Sequence, residues 1–547
     1  MANQTFTVTS DTDLSTAFTT MSGTGNIINV TSSFPLSQTY TLPSGAGLTL
    51  NGSANTLTSI PTANARHFVV TSGSLTLANI TLDGGTNAST IGTANVTTGS
   101  GGVQLSEGEL IINAGTIIQN CFNNTGGAIV SSGNFTPSTI TMNGGTLQYN
   151  VAGHIYGGAV TINENTTFNM YDGTIKLNQS VCGGGVALDN APTAASQNPC
   201  VFNLYDGIIE ENLATDANGG GGVLVGQGSN SAPMLFNMYG GTIQNNTATV
   251  VGGGVALNTD TGTLNNNGQM VMTGGLITGN NAGSQGAGIF MAQKTTCTIT
   301  GNTPTPTTPE VDPATGFPAI YNNGTGTPTV NEGGGIFNEG GTLSATNLLL
   351  TGNNAVNHGG GFALWGGTAT FTGSIISNNN VTYNGGGNGG GGIFATSNGN
   401  YLGTVTLDNT LITGNKSAHQ GGGLFVTDSV INLNNSTFSN NTASINGGGI
   451  FVANGAVMTN PNTTTFNATG TNTITNNTAM NGGGLISDVN NQFSLNNIDF
   501  LNNTAVQNGG GFYLTGSAPT LTAATVGPNT VISGNQAANG AGYYITA

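Results

Sequence analysis

Asp172 and Asp206 stand in like-built triplets, Tyr171-Asp172-Gly173 and Tyr205-Asp206-Gly207, with Glu210 and Glu211 close behind the second. Two carboxylates brought one above the other repel, which raises one pKa toward general acid–base work; the same pair could hold calcium. The third position in this register is Gly240, however, and Asp-Gly is an ordinary turn pair, so the motif reads as turn chemistry. His154, His358 and His419 precede glycine-rich stretches at irregular offsets, and none has a Ser or Cys nucleophile with an acidic partner in register; they read as surface turns. Cys121, Cys182, Cys200 and Cys297 lack the paired CxxC spacing of a zinc site or disulfide scaffold and read as buried apolar fillers, a Cys182–Cys200 bridge being the alternative. No catalytic residue, metal or cofactor is assigned from these groups.

What would position them is a repeat. A glycine-rich box followed by an apolar residue returns at Val103, Ile129, Val160, Val186, Val223, Val255, Ile289, Ile336, Phe362, Ile393, Leu424, Ile450, Leu485, Phe512 and Tyr543. The shortest spacing, 26 residues, occurs four times, as at 103 to 129 and 424 to 450, so longer intervals are loop added to one unit. Within a unit, Leu424 to Ser429, Val430 to Asn434 and Thr437 to Asn441 are β-favouring runs broken by Asp, Asn and Ser. Three short strands per unit, repeated in tandem, describe the coils of a parallel β-helix. One coil buries too little to fold by itself; its neighbours pair each strand above and below and close the interior.

Fold class is therefore all-β, a right-handed parallel β-helix solenoid with a short N-terminal capping helix, the hand following the preference of parallel crossovers. Ser10 and Asp11 cap a helix start, and Leu14, Ala17, Phe18 and Met21 follow at helical spacing over Asp11 to Met21. Residues 1–100 hold this cap and early coils without boxes, as at Ile27 to Val30, Leu48 to Leu50, Phe68 to Val70 and Leu75 to Leu82. Residues 101–547 are the box repeat, with a long inserted loop at about 303–330 between Ile289 and Ile336. The strand edge after Tyr543, Tyr544 and Ile545 has no visible cap; a longer chain or another subunit is expected to meet it.

Composition narrows the partners. Arg66, Lys176, Lys294 and Lys416 are the whole basic complement against a net charge of -17, which disfavours nucleic acid and anionic membrane surfaces. No apolar run is long enough to cross a bilayer, so direct membrane insertion is not expected.

Two stacked rows follow from the register. Asn120, Asn246, Asn280, Asn353, Asn415, Asn441, Asn476 and Asn503 each lie nine residues before a box apolar, and should form an amide ladder along the axis. In the box strand, positions 0 and +2 point together and +1 points oppositely. Position +1 is Phe290, Phe337, Phe394, Phe425, Phe451, Tyr513 and Tyr544, so an outward aromatic stripe is expected there as a binding or assembly face.

The pairing of a GG[AG]-[IVLF] box (Gly126-Gly127-Ala128-Ile129) with an F-x-x-N element (Phe438 to Asn441, Phe500 to Asn503) resembles the repeats of chlamydial polymorphic membrane proteins and adhesin-like β-helix surface proteins. That resemblance spans roughly residues 100 to 547 and implies extracellular or cell-surface display and adhesion. The expected function is a non-enzymatic structural or adhesin-like surface protein. It would be a stiff rod that adheres to a host or cell-surface glycan or protein, or assembles with itself into a fibre. The alternative is a polysaccharide-cleaving β-helix enzyme or a viral tailspike or fibre protein.

Overall fold

The structure, a computed structural model, describes residues 3–59, 65–85, 99–131, 136–153, 156–163, 165–190, 198–228, 233–258, 268–301, 317–327, 329–383, 389–399, 401–453, 465–488, 492–493, 495, 497–515, 527 and 529–546. They gather into two compact units, Met1–Val271 and Met272–Ala547. Each is a stack of parallel β-helical coils.

A coil of the second unit shows how sequence makes the fold. Leu424–Val426 is the box strand, followed by Ser429–Asn434, Thr437–Ser439 and the short Thr442–Ala443. Each pairs in parallel with its counterpart one coil on: Leu424 with Ile450, Val430 with Thr465, Thr437 with Thr473, Thr442 with Thr478. Along Ser429–Asn434 burial alternates, with Ile431 and Leu433 inside and Val430, Asn432 and Asn434 toward the flank. Interior side chains therefore stack on their own kind; in the first unit Phe168, Phe202 and Phe236 lie nearly parallel with ring centroids 4.9 and 5.1 Å apart. Box position 0 shares this interior, since Phe362 meets the inward Phe371 edge-on at 5.2 Å.

The amide ladder exists, and its rungs correct the expected list. Asn415 accepts at Oδ1 from both the backbone N–H and the Nδ2 of Asn379, each at 3.0 Å, while its own Nδ2 donates to Asn441 Oδ1 and back to the Ile376 carbonyl. The same pattern joins Asn150, Asn178, Asn212 and Asn246 in the first unit, and Asn280, Asn323, Asn353, Asn379, Asn415, Asn441, Asn477, Asn503 and Asn535 in the second. Asn120 and Asn476 are not rungs. They occupy the left-handed corner one residue earlier, at φ 53 and 56°, and Cys121 and Asn477 take the places facing the ladder. A fixed offset from the box fails because the segment between rung and box varies from eight residues (477 to 485) to fourteen (379 to 393). In F-x-x-N the Phe is thus interior, the residue before Asn turns the corner and the Asn is the rung, as in Phe438, Asn440 at φ 55° and Asn441.

The helix Asp11–Thr20 forms where the sequence places it. Ser10 Oγ accepts from the Asp13 N–H at 3.3 Å, and Asp11 and Asp13 suit the positive end of the helix dipole. Its buried face, Leu14, Ala17 and Phe18, sets Phe18 against Tyr40 at 4.9 Å and Phe68 at 6.0 Å, so it closes the interior of the early coils. In the stretch that reads as a loop at 303–330, Ala319–Tyr321 is instead a coil strand paired to Leu276–Thr278 and Leu349–Thr351, Asn323 is a rung and Val330 is buried. Pro, Thr and Gly content masked this strand, which is only three residues long. Residues 303–316 and 328 of that stretch lie outside the described residues.

Candidate functional site

Alternation places the box +1 side chains in one column, as expected. Phe290 pairs with Phe337, Phe394 with Phe425, Phe425 with Phe451 and Tyr513 with Tyr544, with Ala363 and Ile486 filling the gaps. The column is not an exposed stripe, which overturns the expected face. All five phenylalanines are buried, Phe290 being the most open at 6 %, and only Tyr513 and Tyr544 are half-buried. The cause is the turn that precedes each box. The His358 ring lies 4.3 Å from Phe394 one coil on, and a Cβ built on Gly389 would meet Phe425 Cδ2 at 3.0 Å. The rings form a second apolar layer outside the coil wall, with neighbours 5.8, 5.3 and 5.1 Å apart.

The other chemistry-bearing residues fall into structural places. Asp172 and Asp206 are exposed, and each Oδ1 accepts from the next glycine N–H at 2.7 Å, which is the turn role. Glu210 pairs across to Lys176 and accepts from Gln244 Nε2 at 2.9 Å, while Glu211 turns a corner at φ 55°. All four cysteines are free and buried, so no Cys182–Cys200 bridge forms. Two histidines depart from the surface-turn reading: His358 Nδ1 lies 3.1 Å from Glu332 Oε1 in the turn that covers the aromatic layer, and His419 is buried. His154 lies outside the described residues. Among the described residues no group of three or more His, Cys, Asp and Glu side chains gathers to hold a metal.

Two features escaped the sequence reading. The first is a row of exposed tyrosines, Tyr171, Tyr205 and Tyr239, at 47, 38 and 45 % exposure, stacked with centroids 4.7 and 4.9 Å apart and planes 10 and 14° from parallel. Beside them runs the amide row Asn169, Asn203, Asn237, joined Nδ2 to Oδ1 at 2.8 and 2.9 Å. The signal is the constant spacing of 34 residues, hidden because the Asp-Gly register ends at Gly240, one residue after Tyr239.

The second is a cavity of about 380 Å³ in the first unit, over its own +1 column. There the column reads Gln104, Val130 and Thr161 in place of rings, and these short or polar side chains leave the outer layer unfilled. Arg66 and Asp189, 6 and 5 % exposed, also line it. Arg66 donates to the carbonyls of Thr125, Gly126 and Gly127 at 2.7, 2.9 and 3.4 Å. Comparison with protein-family models, curated proteins and solved structures finds no match to the chain. Its sites therefore rest on their own geometry.

Next to Arg66, His67 is fully buried. Its Nδ1 accepts from the Gly102 N–H at 2.8 Å, so Nε2 carries the proton shared between the Leu57 and Asp83 carbonyls, each at 3.1 Å. Burial holds this imidazole down at about 4. The unfolded chain binds a proton near pH 6.5 and the folded one does not until about 4, so stability is full above 6.5 and falls as pH drops through that window. The loss expected by pH 4 is about 3 kcal/mol. Denaturant titrations at pH 7 and 4.5 should show it, and His67→Gln should flatten that part of the profile; an unchanged profile would exclude His67 as the source.

Proposed function

We propose that this protein is a non-enzymatic, adhesin-like structural protein of the cell exterior that holds its partner through a repetitive flank. The observation that carries the reading is the Tyr171–Tyr205–Tyr239 row beside the Asn169–Asn203–Asn237 row. Stacking covers most ring faces, so the row offers edges and hydroxyls at one-coil intervals, next to amides at the same intervals. Such a comb is neutral, polar and periodic, and it suits a partner that repeats: a glycan chain or another protein surface. Exposed aromatic rings with a polar tip also supply contact area at low entropic cost. The likeness of the boxes and F-x-x-N elements to adhesin-like repeats points the same way.

Replacing all three tyrosines by serine tests the reading. Exposed positions tolerate such changes within about 0.5 kcal/mol each, so the fold should persist. Binding to cell surfaces and glycan arrays should fall about tenfold or more, whereas retention of binding would remove the flank from the role. Release of oligosaccharides from any arrayed glycan would place the chain with the polysaccharide-cleaving enzymes instead.

A further inference from the structure

Four consecutive coils of the second unit share one face of uniform chemistry. Their strands Thr296–Thr300, Thr342–Thr346, Gly367–Thr372 and Gly403–Asp408 pair in parallel with no register shift. Alternate residues such as Ile299, Ala345, Phe371 and Leu407 are buried, so the others stand outward in three columns of four. The middle column is Thr298, Ser344, Thr370 and Thr406, and the columns beside it begin at Thr296 and Thr300. Eleven of these twelve positions carry a hydroxyl, Asp408 at one corner being the exception. Strand propensity alone does not impose this composition, since the next two coils continue the middle column with Asn432 and Asn467.

The array is regular enough to act as a lattice. Coils held by side-chain ladders twist little, and Phe290 and Phe337, on the first two of these coils, lie 4° from parallel. Branching at Cβ keeps χ1 stiff, so threonine hydroxyls and methyls repeat with the backbone. Neighbouring positions are about 4.7 to 4.9 Å apart between coils and about 6.6 Å apart along a strand. Among the described residues these hydroxyls are used little by the protein. Thr368 reaches Thr342 at 3.5 Å, Thr406 accepts from Asn432 at 3.3 Å, and the rest are left to solvent. Water oxygens on a face of crystalline ice form a rectangular net with nearly these two repeats. Ice also excludes ions, and this face is neutral up to its Asp408 corner although the chain holds 21 acidic residues. It offers no ring at any outward position on which a sugar could stack.

We infer that this threonine face binds ice, its hydroxyls holding a layer of water molecules that merges with the crystal surface. The inference is independent of the tyrosine row, which belongs to the other unit.

The test uses the full chain and ice itself. Nanolitre osmometry should show a gap between melting and freezing points with faceted crystals, and the protein should enter a slowly growing ice hemisphere that excludes serum albumin. Ser344→Tyr and Thr370→Tyr each set a ring in the middle of the net. Both positions point outward and tyrosine favours strands, so the circular dichroism melt should stay unchanged. The freezing gap and the uptake into ice should both fall to the albumin level. Thr249→Tyr, at an exposed threonine of the first unit, should alter neither reading. Absence of a gap and of uptake in the unaltered chain would overturn the assignment. So would survival of either reading in a Ser344 or Thr370 variant, its loss in the Thr249 variant, or adsorption to crystalline cellulose in place of ice.

Discussion

Asn415→Leu should destabilise the second unit by about 5 kcal/mol, because it leaves buried donors and an acceptor unpaired at roughly 1 to 3 kcal/mol each. The side chains are nearly equal in size, so the effect is not a cavity. With the amide gone, the backbone N–H and Nδ2 of Asn379 lose their shared acceptor, the Ile376 carbonyl loses its donor, and Asn441 Oδ1 loses one of two. All of these groups are inside the coil stack, where water cannot replace the missing partner. Asn415→Asp separates the two halves of the role. It restores the acceptor for Asn379 but turns an oxygen on the Ile376 carbonyl and Asn441 Oδ1, so it should be as damaging at pH 7. It should recover in part at acid pH, when the carboxyl gains a proton to donate. Urea unfolding followed through the single tryptophan, Trp365, in the box strand Phe362–Trp365, checks both variants. A loss under 2 kcal/mol for the leucine variant would mean that the ladder is decorative.

Gly423→Ala should cost about 4 kcal/mol or more, the range reached when overpacking also breaks buried hydrogen bonds. The Gly423 N–H donates to the Gly449 carbonyl at 3.1 Å, which sets the separation of the coils at this wall. A Cβ on Gly423 would sit 2.6 Å from that same oxygen, with Phe438 Cδ1 at 3.0 Å and Asn441 Nδ2 at 3.1 Å. Backbone oxygen and ladder amide are both fixed, so the coils must part. Gly45→Ala is the comparison. Gly45 adopts φ +70° with nothing within 4 Å of the added carbon, so its cost is the backbone preference alone, about 1 kcal/mol. Melting temperatures of the two variants should differ widely; similar values would show that glycine serves the box through its conformational freedom and not through closeness.

These residues also show why the architecture was readable from the chain and the candidate sites were not. Close approach of neighbouring coils keeps the box to glycine with an occasional alanine, as at Ala128 and Ala159, and an apolar residue must follow to fill the interior, so the pattern recurs from Val103 onward and its spacing reveals the winding. Rung asparagines are as constrained as the boxes, but loops of differing length separate the two, so counting from one mislocated the other at Asn120 and Asn476. The +1 phenylalanines look outward on a strand considered alone. Their burial depends on a turn in the neighbouring coil, as His358 over Phe394 shows, and that contact joins residues 36 apart. The cavity is harder still to foresee, because its evidence in the sequence is that Gln104, Val130 and Thr161 are smaller or more polar than rings elsewhere in the same column.

In the second unit Gly301 and Pro318 lie side by side, close enough that a Cβ on Gly301 would touch the proline ring at 2.6 Å. Strands on both sides keep their partners, Thr296–Thr300 with Thr342–Thr346 and Ala319–Tyr321 with Leu349–Thr351. Doubling the length of a segment that joins two such anchored ends adds only about 0.6 kcal/mol of closure entropy. New sequence can therefore enter between these two residues at little thermodynamic penalty, and a foreign epitope or a whole small domain grafted there should leave the underlying winding undisturbed.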